Sequence, residues 1–546
     1  MAYEAYYKHY EDRGFNFDRG LLTSYCLSLR TKPFVILSGI SGTGKTKIAQ
    51  FFSAPALAAS QKAAPAAAPT AATVPAAAVP TGKWIIMTVN EGLAAGGDGR
   101  ANFKYSDLEA LLSAAEIAAY QPLIEQLRQS DRADNIGEPF TFTIDTPDGQ
   151  VLTANGYLQR ASNPLLRIRF KSKRGEPKYD STPYFIKNYK RDTVLRLEKI
   201  GDKRLRIVSA DDQVFIAKAQ ELEKEERKHV KNSCFISVRS DWTDATPLFG
   251  HYNFVDQRYH LTPALNFILS AHEHPEMPFF LILDEMNLAK VEHYFSDFLS
   301  CLESRHIEGG KLTQEPIHIH SDSGWLSTNN EYFDLVGPTL ALPPNLFVTG
   351  TVNIDESTYM FSSKVLDRAN VIELNDVDIR AYGSGATQAG ASTFVLKDFP
   401  DLANFELPQK TDFQNIPDDA KEFLTAVHAI LEEHHLHFGY RVINEVSRFV
   451  LNAQTYCQAH SGLIDQAVDR QLVQKVLPKF NGSQSKLDVP VRELLTLIKT
   501  GAPGAAMDWD AVESLDPNTT KFPLAASKLK RMSKALTLNG FANFIE

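Results

Sequence analysis

Phe34-Val35-Ile36-Leu37-Ser38-Gly39-Ile40-Ser41-Gly42-Thr43-Gly44-Lys45-Thr46 is the stretch that decides the fold. Its first part is a short apolar run ending in glycine, the pattern of a buried strand, and a helical pattern resumes through Ile48, Ala49 and Phe52. Between them, Gly39 to Thr46 fits the spacing G-x-x-x-x-G-K-[ST] in the strand–turn–helix context that gives it a mechanism. Gly39, Gly42 and Gly44 let the backbone curl so that successive N–H groups, those of Ser41 and Thr43 among them, point at phosphate oxygens. The helix N-terminus adds positive potential, Lys45 reaches the outer phosphates, and the Thr46 hydroxyl is the expected Mg²⁺ ligand.

Such a loop needs carboxylates to hold the metal shell and activate water. Phe279-Phe280-Leu281-Ile282-Leu283-Asp284-Glu285 delivers two at the end of an apolar strand, the edge where open α/β sheets bind ligands. Asp284 is the expected metal partner and Glu285 the general base. A third strand, Phe347 to Val352, ends at Asn353, whose amide could hold the lytic water or the terminal phosphate. Arg368, after Ser362-Ser363-Lys364-Val365-Leu366-Asp367, and Arg305, at the end of the helical run after Glu285, are competing candidates for an arginine acting on a neighbouring subunit's site.

The rest of the chain organises around these segments. Its 546 residues suit three or four domains, and its 43% apolar and 23% charged composition is that of a globular protein rather than a disordered or fibrous one. No stretch has the roughly 20 apolar residues that would span a bilayer. The N-terminus does not read as a signal peptide, and Cys26, Cys234, Cys301 and Cys457 are too scattered for a disulfide framework, so a cytoplasmic location and no membrane partner are expected. Residues 1–53 open an α/β core and carry the phosphate loop, and 54–82, almost all Ala, Pro, Thr and Ser, read as a linker. Residues 83–230 read as an inserted α+β module with a Pro147-Asp148-Gly149 hairpin turn, 231–405 as the remainder of the core, and 406–546 as a helical domain.

Net charge is −9, which taken whole speaks against nucleic acid, yet residues 167–206 hold 14 Lys or Arg against 5 acids. Arg167, Arg169, Lys171, Lys173, Arg174, Lys187 and Lys190, with Tyr179 among the interleaved aromatics, are the candidate DNA contacts, the cations neutralising phosphate and the rings stacking on bases. A solvated face, or a docking surface for an acidic partner, is the competing reading. His272 and His274, and His434, His435 and His437, read as helix-end or surface histidines, no acid–cysteine set completing a metal site.

Together these motifs resemble the AAA+ NTPases, and more closely the McrB-like motor subunits of modification-dependent restriction systems. The resemblance rests on Asp284-Glu285-Met286-Asn287, on residues 350–373 (GTVNIDESTYMFSSKVLDRANVIE), on 438–450 (FGYRVINEVSRFV), on 237–253 and on the C-terminal segment from Ala525. It implies an α/β fold: a P-loop AAA+ core with a parallel sheet, an α-helical lid and the inserted α+β module. It also implies a Mg²⁺-dependent GTPase or ATPase assembling as a homo-oligomer, a hexameric ring, that drives a separate McrC-like nuclease and engages DNA. By the same resemblance, Arg441 looks like the second sensor arginine, contacting nucleotide from the helical domain. Two departures qualify it. About 175 residues intervene between the phosphate-loop helix and the second strand, where McrB instead carries a DNA-recognition domain ahead of the motor. The segment Val352-Asn353-Ile354-Asp355-Glu356-Ser357-Thr358 also differs from McrB's, leaving the base open between GTP and ATP. The rival readings are a MoxR-like ATPase remodelling protein partners without DNA, and a nucleotide-gated scaffold with slow turnover.

Overall fold

The computed structural model describes residues 3–63, 84–89, 93, 100–104, 135–160, 164–172, 178–189, 193–201, 203–209, 230–253, 258–309, 311–319, 339–354, 359–375, 392–403 and 405–545. These fall into two compact units, one drawn from Met1–Ala66, Asn232–Ser321 and Gly337–Glu546, the other from Ala67–Lys231.

The first unit is mixed α/β. Helices α1 (Tyr3–Glu11) and α2 (Arg19–Thr31) lead into β1 (Phe34–Gly39), and α3 (Lys45–Ala63) follows the glycine-rich turn. Strands β2 (Ser233–Ser237), β3 (Phe279–Asp284), β4 (Leu346–Asn353) and β5 (Asn370–Glu373) complete a five-stranded sheet in the order β5-β1-β4-β3-β2. Every pairing in it is parallel. Every residue of β1, and all of β3 but Asp284, is buried, which is why these strands read as unbroken apolar runs: helices cover both faces of a parallel sheet. The register pairs Gly39 with Asn353 and Asp284 with Ser237, so the ends of β1, β3 and β4 share one edge.

Among the helices, α4 (Pro263–Glu273) is capped by Thr262, whose hydroxyl accepts from the Leu265 N–H. The helical run that precedes Arg305 is not one helix: Val291–Tyr294 and α5 (Ser296–Glu303) are separated at Phe295, which stacks on Phe298 in the core. Beyond residue 410 come α6 (Asp418–Glu433), α7 (Tyr440–Tyr456), α8 (Leu463–Gln471), α9 (Gln484–Thr500) and α10 (Pro523–Asn539). A π-helical turn, Leu472–Val476, and a 3₁₀ turn, Leu477–Lys479, follow α8. Pro478, lacking an N–H, ends regular helix there.

Two further departures from expectation have simple causes. Helix α3 continues through Pro55 to Ala63, ten residues into the stretch read as linker, because alanine is the strongest helix former; the remainder of that stretch, 64–82, lies outside the described residues. Helix α1 had no counterpart in the sequence reading. It is held by three buried tyrosines: Tyr6 Oη donates to Leu22 O (2.9 Å), Tyr10 Oη to Ile48 O (2.9 Å), and Tyr7 Oη meets Thr23 Oγ1 (2.7 Å).

The second unit is a seven-stranded, largely antiparallel sheet, its strands in the spatial order Trp84–Thr88, Val194–Gly201, Arg204–Ser209, Asn135–Asp145, Val151–Arg160, Pro164–Arg169, Arg100–Lys104. The Pro147-Asp148-Gly149 turn forms, with Gly149 at φ +84° and its N–H donating to Thr146 O (3.0 Å). Phe142, Ile144, Leu197, Leu205, Ile207, Phe170 and Phe185 pack one core. Residues 106–129, whose apolar spacing predicts a helix, lie outside the described residues, as does the charged run 219–231, which reads as a solvated helix, save its last two positions.

Candidate functional site

The shared strand edge assembles most of the residues expected there. Gly42 and Gly44 take φ of +84° and +88°, a conformation costly to any residue with a Cβ, and Ser41 and Gly42 are exposed. The edge of the Phe17 ring packs on Gly44: a Cβ there would lie 2.8 Å from two of its carbons. Lys45 folds back, its buried Nζ donating to Gly39 O (2.8 Å) and Ile40 O (2.6 Å). An ammonium held on backbone carbonyls of its own loop stands where incoming phosphate oxygens could replace them.

Thr46 Oγ1 donates to Asp284 Oδ1 at 2.8 Å, and Thr351 Oγ1 donates to the same oxygen at 2.7 Å. Thr351 in turn accepts the Glu285 N–H at 3.0 Å. This pins a turn in which Glu285 sits at φ +53°, ψ +49°, left-handed backbone that costs a non-glycine residue about 1–2 kcal/mol and that clusters at functional sites. Asn353 Nδ2 then donates to Glu285 Oε1 at 3.2 Å, so the strand-end amide orients the second carboxylate. Asn287 Nδ2 closes the cluster on Asn353 O (3.2 Å). A hydroxyl and a carboxylate side by side at the mouth of a phosphate loop are the hard oxygen donors that Mg²⁺ takes, so Thr46 and Asp284 fit the ion. Thr351 is the residue the sequence reading missed; its only signal was its place two residues before Asn353 on a strand already implicated.

The three arginines lie elsewhere. Arg305 is buried and structural in its contacts: its guanidinium donates to Leu342 O (2.9 Å), Pro343 O (3.2 Å) and the Gln314 side chain (3.1 Å). Burial pulls its pKa down to about 10. Arg368 pairs with Glu303 at 2.7 Å, and Arg441 bridges Glu303 and Asp367. Because Asn370 pairs with Val35 at the start of β1, Arg368 and Arg441 belong to the sheet edge opposite the phosphate loop. A six-residue strand at about 3.3 Å per residue puts roughly 20 Å between those edges. Arg441, expected from the resemblance to contact nucleotide from the helical domain, stands at this opposite edge within its own chain.

In the second unit the candidate DNA residues divide. Lys187 is exposed on the helix Thr182–Asn188, and Lys171 is exposed beside Asp180 (3.5 Å). Arg169 is buried, and Tyr179 Oη donates to its carbonyl at 3.1 Å, which gives both a structural part. Arg167 lies in the strand Pro164–Arg169; Lys173, Arg174 and Lys190 fall outside the described residues. Lys178 and Arg206 are also exposed, whereas Arg204 is forked onto Asp145 (2.9–3.2 Å) and Arg196 pairs with Glu198 (2.8 Å).

Residues 394–541, the helical C-terminal part, match a family described as a domain of unknown function, DUF8727. No curated protein matches the sequence. Among solved structures, that of a candidate ATPase from Cytophaga hutchinsonii is similar at 14% identity with a TM-score of 0.25, over 46% of this chain and 72% of that one. Among the described residues no helix is long and apolar enough to cross a membrane.

Proposed function

We propose that the chain is a Mg²⁺-dependent nucleoside triphosphatase of the AAA+ type. The observation that carries this is the cluster Thr46–Asp284–Thr351 with Glu285–Asn353 at the mouth of the phosphate loop. The strand order β5-β1-β4-β3-β2 with the loop after β1, which lies between β5 and β4, and a helical region following β5, support the AAA+ reading over other phosphate-loop folds. Thr46 and Asp284 would hold Mg²⁺, which when bound would neutralise charge on the outer phosphates. The backbone N–H groups of the loop and Lys45 bind the phosphate chain, Glu285 takes the proton of the attacking water, and Asn353 holds Glu285 in place.

The arginine edge supports a ring. Arg368 and Arg441 stand side by side, too far from their own phosphate loop to act there, and a neighbouring copy in a homo-oligomer would bring its nucleotide to them. We propose further that this motor belongs to a McrB-like restriction complex with a separate nuclease, and that the second unit engages DNA through its exposed cations, Lys171, Lys178, Lys187 and Arg206. The test is ATP and GTP hydrolysis by the full chain with Mg²⁺ and with EDTA, together with fluorescence anisotropy of a labelled duplex at rising salt. Metal-dependent turnover that Glu285→Gln abolishes supports the enzyme. Binding that weakens steeply with salt and falls in Lys178→Glu/Lys187→Glu supports the DNA assignment. Salt-insensitive or undetectable binding favours the protein-remodelling alternative.

A further inference from the structure

Lys475 is a buried lysine with three acceptors around one ammonium. Its Nζ donates to Asp367 O and to Ala369 O, each at 3.0 Å, and lies 2.6 Å from Glu445 Oε2. The two carbonyls are those flanking Arg368. Glu445, buried in α7, takes Lys32 on its other oxygen at 2.6 Å, and Lys32 sits just ahead of β1. The carboxylate of Asp367 receives Arg441 and, at 2.7 Å, Lys479.

The local backbone is unusual as well. Lys475 lies in the π-helical turn Leu472–Val476. Such wide turns are uncommon overall but frequent at functional sites. Burying an ammonium is expensive, and an apolar side chain of similar volume is commonly as stable or more so. What the ammonium adds is direction: three acceptors fixed relative to one atom, two of them on the turn that bears Arg368.

We propose that Lys475 is a positioning residue whose ammonium, by holding the carbonyls on either side of Arg368, sets the arginine edge for the nucleotide of a neighbouring copy. This rests on the arrangement of copies proposed above. Lys475 touches no substrate in it. It carries the position of the helical region, through α7 and the π-helical turn, to the Asp367-Arg368 turn, so that a shift of the helices would move Arg368.

The test mixes full-length chains and reads ATP and GTP turnover. Lys45→Ala loses its phosphate grip but keeps its arginine edge; Arg368→Ala and Lys475→Met keep their phosphate loops. Each alone falls by at least about tenfold, since small displacements of a charge-stabilising group cost that much or more. In equal mixture with Lys45→Ala, both Arg368→Ala and Lys475→Met regain turnover, because some interfaces then join a sound loop to a sound edge. A chain merely damaged in its fold would not be rescued. If the Arg368→Ala mixture fails to recover, the arrangement of copies falls and this inference with it. If that mixture recovers and the Lys475→Met mixture does not, or if Lys475→Met alone turns over like wild type, the arrangement stands and Lys475 is not a positioning residue. Should Lys475→Met not fold, Lys475→Gln, which keeps a donor without the charge, and Glu445→Gln are read by the same criterion.

Discussion

Thr46 and Asp284, 238 positions apart in the chain, are joined by a 2.8 Å hydrogen bond from hydroxyl to carboxylate. That bond ties the helix after the phosphate loop to the end of β3 and places two hard oxygen donors together. Replacing Thr46 with Ala removes one donor and leaves Asp284 Oδ1, among the described residues, with the Thr351 hydroxyl. The Mg²⁺ concentration that half-saturates turnover is expected to rise about 10- to 100-fold, the usual scale for losing a group that holds or orients a metal. A magnesium titration of ATP and GTP hydrolysis measures it. An unchanged requirement would remove Thr46 from the metal shell.

Glu285 is oriented by Asn353 and fixed in left-handed backbone by its N–H bond to Thr351. Glu285→Gln keeps the shape and loses the base. Turnover is expected to drop by about 10²–10⁴-fold, the range for a positioned general base, while nucleotide affinity stays within a few fold. Fluorescent-nucleotide binding beside a phosphate-release assay separates the two. Equal losses in both would mean that Glu285 shapes the pocket rather than taking a proton.

Gly44 tests the loop from its backbone. At φ +88°, with the Phe17 ring edge 2.8 Å from where a Cβ would stand, Gly44→Ala meets both backbone strain and a clash. The backbone term alone is about 1–2 kcal/mol. Thermal unfolding should shift downward and nucleotide affinity fall by about tenfold or more, since each 1.4 kcal/mol is tenfold. A double variant Gly44→Ala/Phe17→Ala that recovers stability but not affinity would separate the ring clash from the loop conformation.

Much of this site is legible in the sequence because its candidate residues are concentrated at strand ends. Gly39–Thr46, Asp284-Glu285 and Asn353 each follow an apolar run, and parallel pairing brings such ends to one edge. Thr351 was not legible, since a threonine inside an apolar strand is read as β-branched filler until the register sets it beside Asp284. The edge reached by Arg368 and Arg441 was not legible for a related reason: spacing after a motif says which segment carries a cation but not which edge of the sheet it reaches. Arg305 ends the helical run after the acidic pair, yet three acceptors from the chain's own loops hold it in the interior. Lys475 carried no signal, because Gln474-Lys475-Val476 reads as an ordinary helical turn. Helix α1 was missed because its hold comes from tyrosine hydroxyls reaching partners 16 and 38 positions away.

The charge cluster around Lys475 gives a pH dependence whose sign can be worked out. Burial drives its ammonium down to about 7, with Lys32 pushing the same way and Glu445 and Asp367 opposing. Arg441 and Lys479, both on Asp367, complete the charged surroundings. An unfolded lysine titrates near 10.4. Below about pH 7 both states carry the proton, and the group contributes no slope. Between about 7 and 10.4 the unfolded chain binds a proton that the folded one has released, so stability rises with pH, by at most about 1.4 kcal/mol per unit. Lys475→Met lacks that rise. The gap in urea midpoint between wild type and Lys475→Met should therefore move in favour of wild type between pH 7 and 9 and stay nearly flat between pH 5 and 6. Parallel curves across pH 7–9 would mean that the ammonium keeps an ordinary lysine pKa inside the fold, and that Glu445 with the two carbonyls compensates its burial in full.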